Sequence, residues 1–199
     1  MGPKIVLYNP DDSTLESLRA ASQDGAEIEW VDSNLPIDEA AEILKDTRAM
    51  ILTGHTHVDL KLAAKCSELR LIQTVSAGTD YLDKTALGEL GIQVSNNGGG
   101  NAVAVAEHTI SLIVGTYRKF QLQFENVKDR KWMGDIRSDW FSQAHELTGK
   151  TVGIVGLGRI GSRVALRLQG WECDLIYSDI ISPDPELVEK VGLRKVELD

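Results

Sequence analysis

Residues 151–161, TVGIVGLGRIG, run an apolar strand straight into a turn with glycines at Gly156, Gly158 and Gly161. A G-x-G-x-x-G spacing between a strand and a helix is suited to holding a pyrophosphate. The first glycine permits a tight turn, the second lets the phosphate approach the backbone, and the third lets helix and strand pack closely. The phosphate charge would rest on unpaired N–H groups at the N-terminus of the helix that follows. Asp179 closes the next apolar run, CDLIYSD (173–179), where a carboxylate accepts hydrogen bonds from an adenosine ribose. Its charge would repel a 2′-phosphate, so NAD is expected and NADP disfavoured. The glycines alone would equally fit a packing turn in another α/β protein. Strand, turn, helix, second strand and terminal acid in register favour the dinucleotide.

Other chemistry-bearing residues are sparse. The four histidines are His55, His57, His108 and His145. The HTH run at 55–57 could set two imidazoles on one metal, or simply form a solvated loop at the edge of a cleft, and the loop is the expectation. Cys66 and Cys173 stand far apart with no CxxC spacing, so they read as buried reduced thiols, and no metal is expected.

These residues need a scaffold, and the totals allow one. A chain of 199 residues with 42% hydrophobic and 26% charged content can bury the core of one or two ordinary domains. A net charge of −9 argues against nucleic acid or an anionic membrane as the main partner, since both reward clustered Lys and Arg. The N-terminal MGPKIVLYNPDD has no long apolar stretch, and no segment reaches the ~18 apolar residues of a membrane span. A reducing cytoplasm is the expected compartment.

The first hundred residues alternate short β-rich runs with amphipathic ones, the pattern of βα units on a parallel sheet. IVLY (5–8), EIEWV (27–31), AMILT (49–53), LRLIQTV (69–75) and IQVSN (92–96) read as strands. TLESLRAAS, IDEAAEILKD, VDLKLAAKC and DKTALGEL between them place apolar residues at helical spacing. Gly98, Gly99 and Gly100 mark a hinge or boundary, and a helix is expected from about Ala102 to Lys119. Residues 121–150 have two tryptophans, many charges and no sustained period, and read as an irregular arm. After the glycine turn come a helix over SRVALRLQGW, the strand 173–179, a short helix over PELVEKVG and the approach to a third strand in LRKVELD.

Three separated stretches, VSAGTDYLD (75–83), NAVAVAEHT (101–109) and ELTGKTVGIVGLGRIGSRVA (146–165), together resemble the D-isomer-specific 2-hydroxyacid dehydrogenases, among them glyoxylate, hydroxypyruvate and phosphoglycerate dehydrogenases. The resemblance runs the length of the chain in order. It implies an α/β protein with a flavodoxin-like substrate domain over 1–100, followed by a Rossmann-type NAD-binding domain from 101 that is incomplete at Asp199. It also implies that backbone N–H groups at Ala77 and Gly78 take a substrate carboxylate, and that Asn101 stands near the active-site hinge. Leu157, Gly158, Arg159 and Ile160 match the pyrophosphate-binding turn. Without the resemblance, 75–83 would read as a simple βα turn with Asp80 and Asp83 as helix caps.

The family's catalytic trio is an arginine that grips the substrate, a histidine that protonates the carbonyl oxygen and a glutamate that keeps the histidine basic. All three match positions beyond Asp199, so no catalytic residue is expected within this chain. Glu107 and His108 belong to a helix pattern tied to packing or subunit contacts, and the resemblance implies a homodimer through the helix over 102–119 and the arm after it, with Trp132 and Trp140 as candidate contacts or else core residues. The expected activity of the whole protein is NAD-dependent interconversion of a small 2-hydroxy acid and its 2-keto acid. The alternatives are a NAD-sensing binding protein of the corepressor type, and an inactive truncated chain.

Overall fold

Alternating side chains in the first hundred residues build a sheet that is buried on both faces. Its strands are β1 (Lys4–Asn9), β2 (Ile28–Asp32), β3 (Thr47–Leu52), β4 (Leu71–Thr74) and β5 (Gln93–Ser95), all parallel and in the order β2-β1-β3-β4-β5. This is the flavodoxin-like order, in which the chain reverses its direction of winding between β1 and β3. Val6, Tyr8, Met50, Leu52 and Ile72 meet helices α2 (Ile37–Leu44), α3 (Leu60–Lys65) and α4 (Lys84–Glu89) in one core cluster. Ile5, Leu7 and Ile51 occupy the alternate positions and meet α1 (Leu15–Ala21). Side chains of a strand point to opposite faces, and that period of two accounts for the division. Asp59 and Asp83 cap α3 and α4 by accepting from the N–H groups of Lys61 and Ala86.

The structure is a computed structural model that describes residues 2–22, 27–132, 140 and 142–198. The chain divides into two compact units, Met1–Gly98 and Gly99–Asp199.

In the second unit, β6 (Thr151–Val155), β7 (Asp174–Ser178) and β8 (Arg194–Lys195) form a parallel sheet in the order β6-β7-β8. Read from β8, this is the 3-2-1 order of the first half of a dinucleotide-binding sheet. Helices α5 (Ala102–Tyr117), α6 (Phe120–Lys128), α7 (Gly161–Leu168) and α8 (Pro185–Val191) accompany it. Ala106 of α5 and Ala165 of α7 are both fully buried in one cluster with Ile154, Leu157, Val164, Leu168, Leu175 and Tyr177. Small side chains let these two helices approach closely. Glu107 and Arg167 reinforce the approach with an ion pair at 3.0 Å.

Two expectations need correction. The helix over 102–119 stops at Tyr117, because Lys119 adopts a left-handed φ of 55° and breaks the run. The expected irregular arm begins with a helix, Phe120–Lys128, while 133–139 and 141 lie outside the described residues. Only Asn126 of that helix is buried, so its apolar residues carry no core-facing stripe for the sequence to reveal.

Candidate functional site

The turn between β6 and α7 shows what each glycine does. Gly156 has φ +89°, a conformation that side chains rarely adopt. A β-carbon on Gly161 would stand 2.0 Å from the Gly156 carbonyl oxygen and 3.1 Å from Ile154 Cγ2, so the helix can start this close to the strand only with glycine there. A β-carbon on Gly158 would meet nothing within 4 Å. That open space over bare backbone is what a phosphate group needs, and the turn therefore fits a dinucleotide diphosphate.

Asp179 completes the turn from the end of β7. Its Oδ2 accepts a 2.6 Å hydrogen bond from the Leu157 N–H, and its Oδ1 accepts at 2.9 Å from the Ile181 N–H. The N–H groups of Ile181 and Leu157, in that order, hold the carboxyl below the usual carboxylate range. A carboxylate has about four acceptor positions, so two donors leave room for ribose hydroxyls. Leu157 is buried, and Arg159 and Ile160 are exposed beside it. A cleft of about 310 Å³ runs along β6 and the turn, lined by Thr109, Val155, Gly156, Ile160 and Gly161 among others.

In the first unit, the loop after β4 carries Ala77 and Gly78, both exposed. The loop's carbonyls are already engaged: Asn97 N–H and Thr74 Oγ1 donate to Ser76, Asn96 Nδ2 to Ala77, and Ser76 Oγ to Gly78. Asn101 is exposed and precedes α5, where its carbonyl accepts from the Val105 N–H and its side chain makes no cap bond.

The histidines fall in separate settings. His55 and His57 are exposed and stand edge-on to the ring of Tyr81, with centroids at 5.3 and 5.7 Å. His108 is exposed on α5, and His145 packs edge-on to Tyr117 at 6.0 Å while its N–H donates to the Tyr117 carbonyl. Among the described residues no cluster of three or more His, Cys, Asp or Glu side chains could hold a metal ion. Burial pushes the Cys66 and Cys173 thiols up. Among the described residues no helix is long and apolar enough to cross a membrane.

Sequence reasoning missed Asn9, at the end of β1. It is buried, its Oδ1 lies 2.7 Å from Thr56 Oγ1, its Nδ2 donates to the Asp11 carbonyl, and its own carbonyl accepts from Trp30 Nε1 and the Ser33 N–H. A lone Asn at a strand end has no local signature. The buried side-chain amide, with Thr56 and Asp11, and the Asn9 carbonyl, with Trp30 and Ser33, together tie the loops at the carboxyl ends of β1, β2 and β3.

The chain belongs to the D-isomer specific 2-hydroxyacid dehydrogenase family, whose catalytic domain description matches residues 5–189. D-3-phosphoglycerate dehydrogenase of Archaeoglobus fulgidus is 31% identical over 197 residues, covering 98% of this chain and 36% of that protein. Formate dehydrogenase of Chaetomium thermophilum is 36% identical over 160 residues, covering 77% of this chain and 42% of that protein. Among solved structures, the NAD-dependent formate dehydrogenase of Staphylococcus aureus in complex with NAD superposes with a TM-score of 0.73 at 26% identity, over 98% of this chain and 60% of that one. The chain thus spans well under half of the curated relatives described here.

Proposed function

We propose that these 199 residues form the N-terminal portion of an NAD-dependent 2-hydroxyacid dehydrogenase, carrying the substrate-side unit and the adenosine half of the cofactor domain. The observation that carries this reading is the turn itself. Gly158 leaves its backbone open, Gly161 brings the helix N-terminus against the strand, and Asp179 is tied to Leu157. NAD, when bound, supplies hydride exchange at its nicotinamide with the substrate carbon. The residues present do the binding: Gly156–Gly161 take the diphosphate, Asp179 takes the ribose hydroxyls and disfavours a 2′-phosphate, and the N–H groups of Ala77 and Gly78 take the carboxylate of a small 2-hydroxy or 2-keto acid, with Asn101 nearby on the chain.

The whole protein pairs as a homodimer in this reading, through α5 and α6. Leu112, Phe124 and Val127 expose 56, 71 and 68% of their area there, which supports such a contact. Trp140 is engaged within the chain, since the Arg118 guanidinium lies 5.0 Å over its ring.

Calorimetric titration with ADP-ribose tests the reading, because its adenosine and diphosphate meet residues that are present. Saturable binding that Gly158→Ala weakens is expected. Absence of binding, or binding indifferent to Gly158→Ala, rejects it.

A further inference from the structure

Arg159 does not simply run out into solvent. Its arm crosses Gly99, so closely that a β-carbon at 99 would stand 2.7 Å from Arg159 Cδ and 3.4 Å from its Nε. These two residues are 60 positions apart in sequence, yet both belong to the second unit. Gly99 lies in the turn that opens α5, where its carbonyl accepts from the Ala102 N–H at 3.1 Å. That helix is fixed against α7 by the buried Ala106 and by the Glu107–Arg167 pair, and α7 begins directly after the glycine turn. Gly99 is therefore held in place beside Arg159 by the same helix pair that carries the turn.

We propose that Gly99 is a positioning residue for Arg159. Its missing side chain leaves the track in which the arginine arm lies, and this sets the direction in which the guanidinium points and how strongly the turn takes a diphosphate. The proposal rests on the dinucleotide reading above. A side chain at 99 meets the Arg159 arm and no backbone atom as close, so admitting it requires Arg159 to shift. Gly99 also has φ +91°, and any backbone strain from a substitution acts on all ligands alike.

The test compares ADP-ribose with adenosine on the full 199-residue chain, using Gly99→Ala, Arg159→Ala and the double variant. Wild type is expected to bind ADP-ribose more tightly than adenosine. Gly99→Ala should lose roughly tenfold in ADP-ribose affinity, the scale of one charge-assisted contact, and leave adenosine within about twofold. The double variant should lose no more than Arg159→Ala alone, since the two substitutions remove the same contact. Equal weakening of both ligands by Gly99→Ala, or losses that add in full, would overturn the proposal. If wild type does not distinguish the two ligands, the dinucleotide reading falls, and this proposal with it. The Arg159 Nε–H resonance gives a readout that needs no variant and no ligand: an ordered signal is expected, and a freely averaged one overturns the inference.

Discussion

The Asp179 carboxylate and the Leu157 N–H meet at 2.6 Å, so the acid at the end of β7 pins the glycine turn that follows β6. In the proposed reading, one residue thereby fixes the spacing between the ribose and the diphosphate of the cofactor. Asp179→Ser should lower affinity for NAD relative to NADP by about tenfold, because it removes a charged acceptor and a charge repulsion together. Competitive titration of the two cofactors against the wild type and variant measures the ratio. An unchanged ratio would remove Asp179 from the ribose site.

The same bond has a defined pH response. Its donors depress the folded-state value of the Asp179 carboxyl, so the associated stability is present above the unfolded carboxylate range, about 3.9, and is lost as pH falls through the lower folded value. The amide shifts of Ile181 and Leu157 are expected to stay flat between about pH 8 and 5 and to move together only below about 4. A titration of either shift centred near neutrality would contradict the assignment.

Gly158 and Gly161 should respond to alanine in opposite ways. Gly161→Ala forces a β-carbon onto the Gly156 carbonyl, and overpacking against backbone is expected to cost about 3 kcal/mol or more. Gly158→Ala meets nothing, so its stability should stay near wild type while diphosphate binding falls. Urea unfolding paired with ADP-ribose titration separates the two, and equal destabilisation would refute this division of labour.

Burial also ranks the contacts between helices. Leu168→Ala empties a fully buried site and should cost about 2–5 kcal/mol. Glu107→Gln breaks an exposed ion pair with Arg167 and should cost less than about 1 kcal/mol. Thermal unfolding midpoints check the order.

The 199-residue chain is expected to give no sustained NADH oxidation with glyoxylate, hydroxypyruvate or pyruvate. The resemblance leads to the expectation that the catalytic arginine, histidine and glutamate lie outside these residues, while Ala77 and Gly78 offer only backbone contacts. Steady turnover would give the acid's role to His55, His57, His108 or His145, each of which could then be found by substitution.

Much of this architecture is written in local periodicity. IVLY, AMILT and TVGIV announce β1, β3 and β6 because an apolar run flanked by polar turns leaves few alternatives, and Asp59 and Asp83 mark the starts of α3 and α4 by capping them. Helix α6 escaped notice because Phe124 and Val127 face outward, so no polar face opposes a buried one. The glycine spacing made the turn legible, and the strand after it made Asp179 legible. The crossing of Arg159 over Gly99 was not, since contacts between distant positions depend on how α5 and α7 pack. Nor was Asn9, whose meaning lies in partners that arrive from other strands.

Asn9 joins the segments around Asp11, Trp30, Ser33 and Thr56 through a single buried amide and its neighbouring carbonyl. Segments stitched at one point do not open one at a time. The protons of Trp30 Nε1 and the Ser33 N–H should therefore exchange with solvent at a common rate, and Asn9→Ala should accelerate both at once. The carboxyl end of the first sheet would then open as one cooperative patch rather than as a set of independent loops.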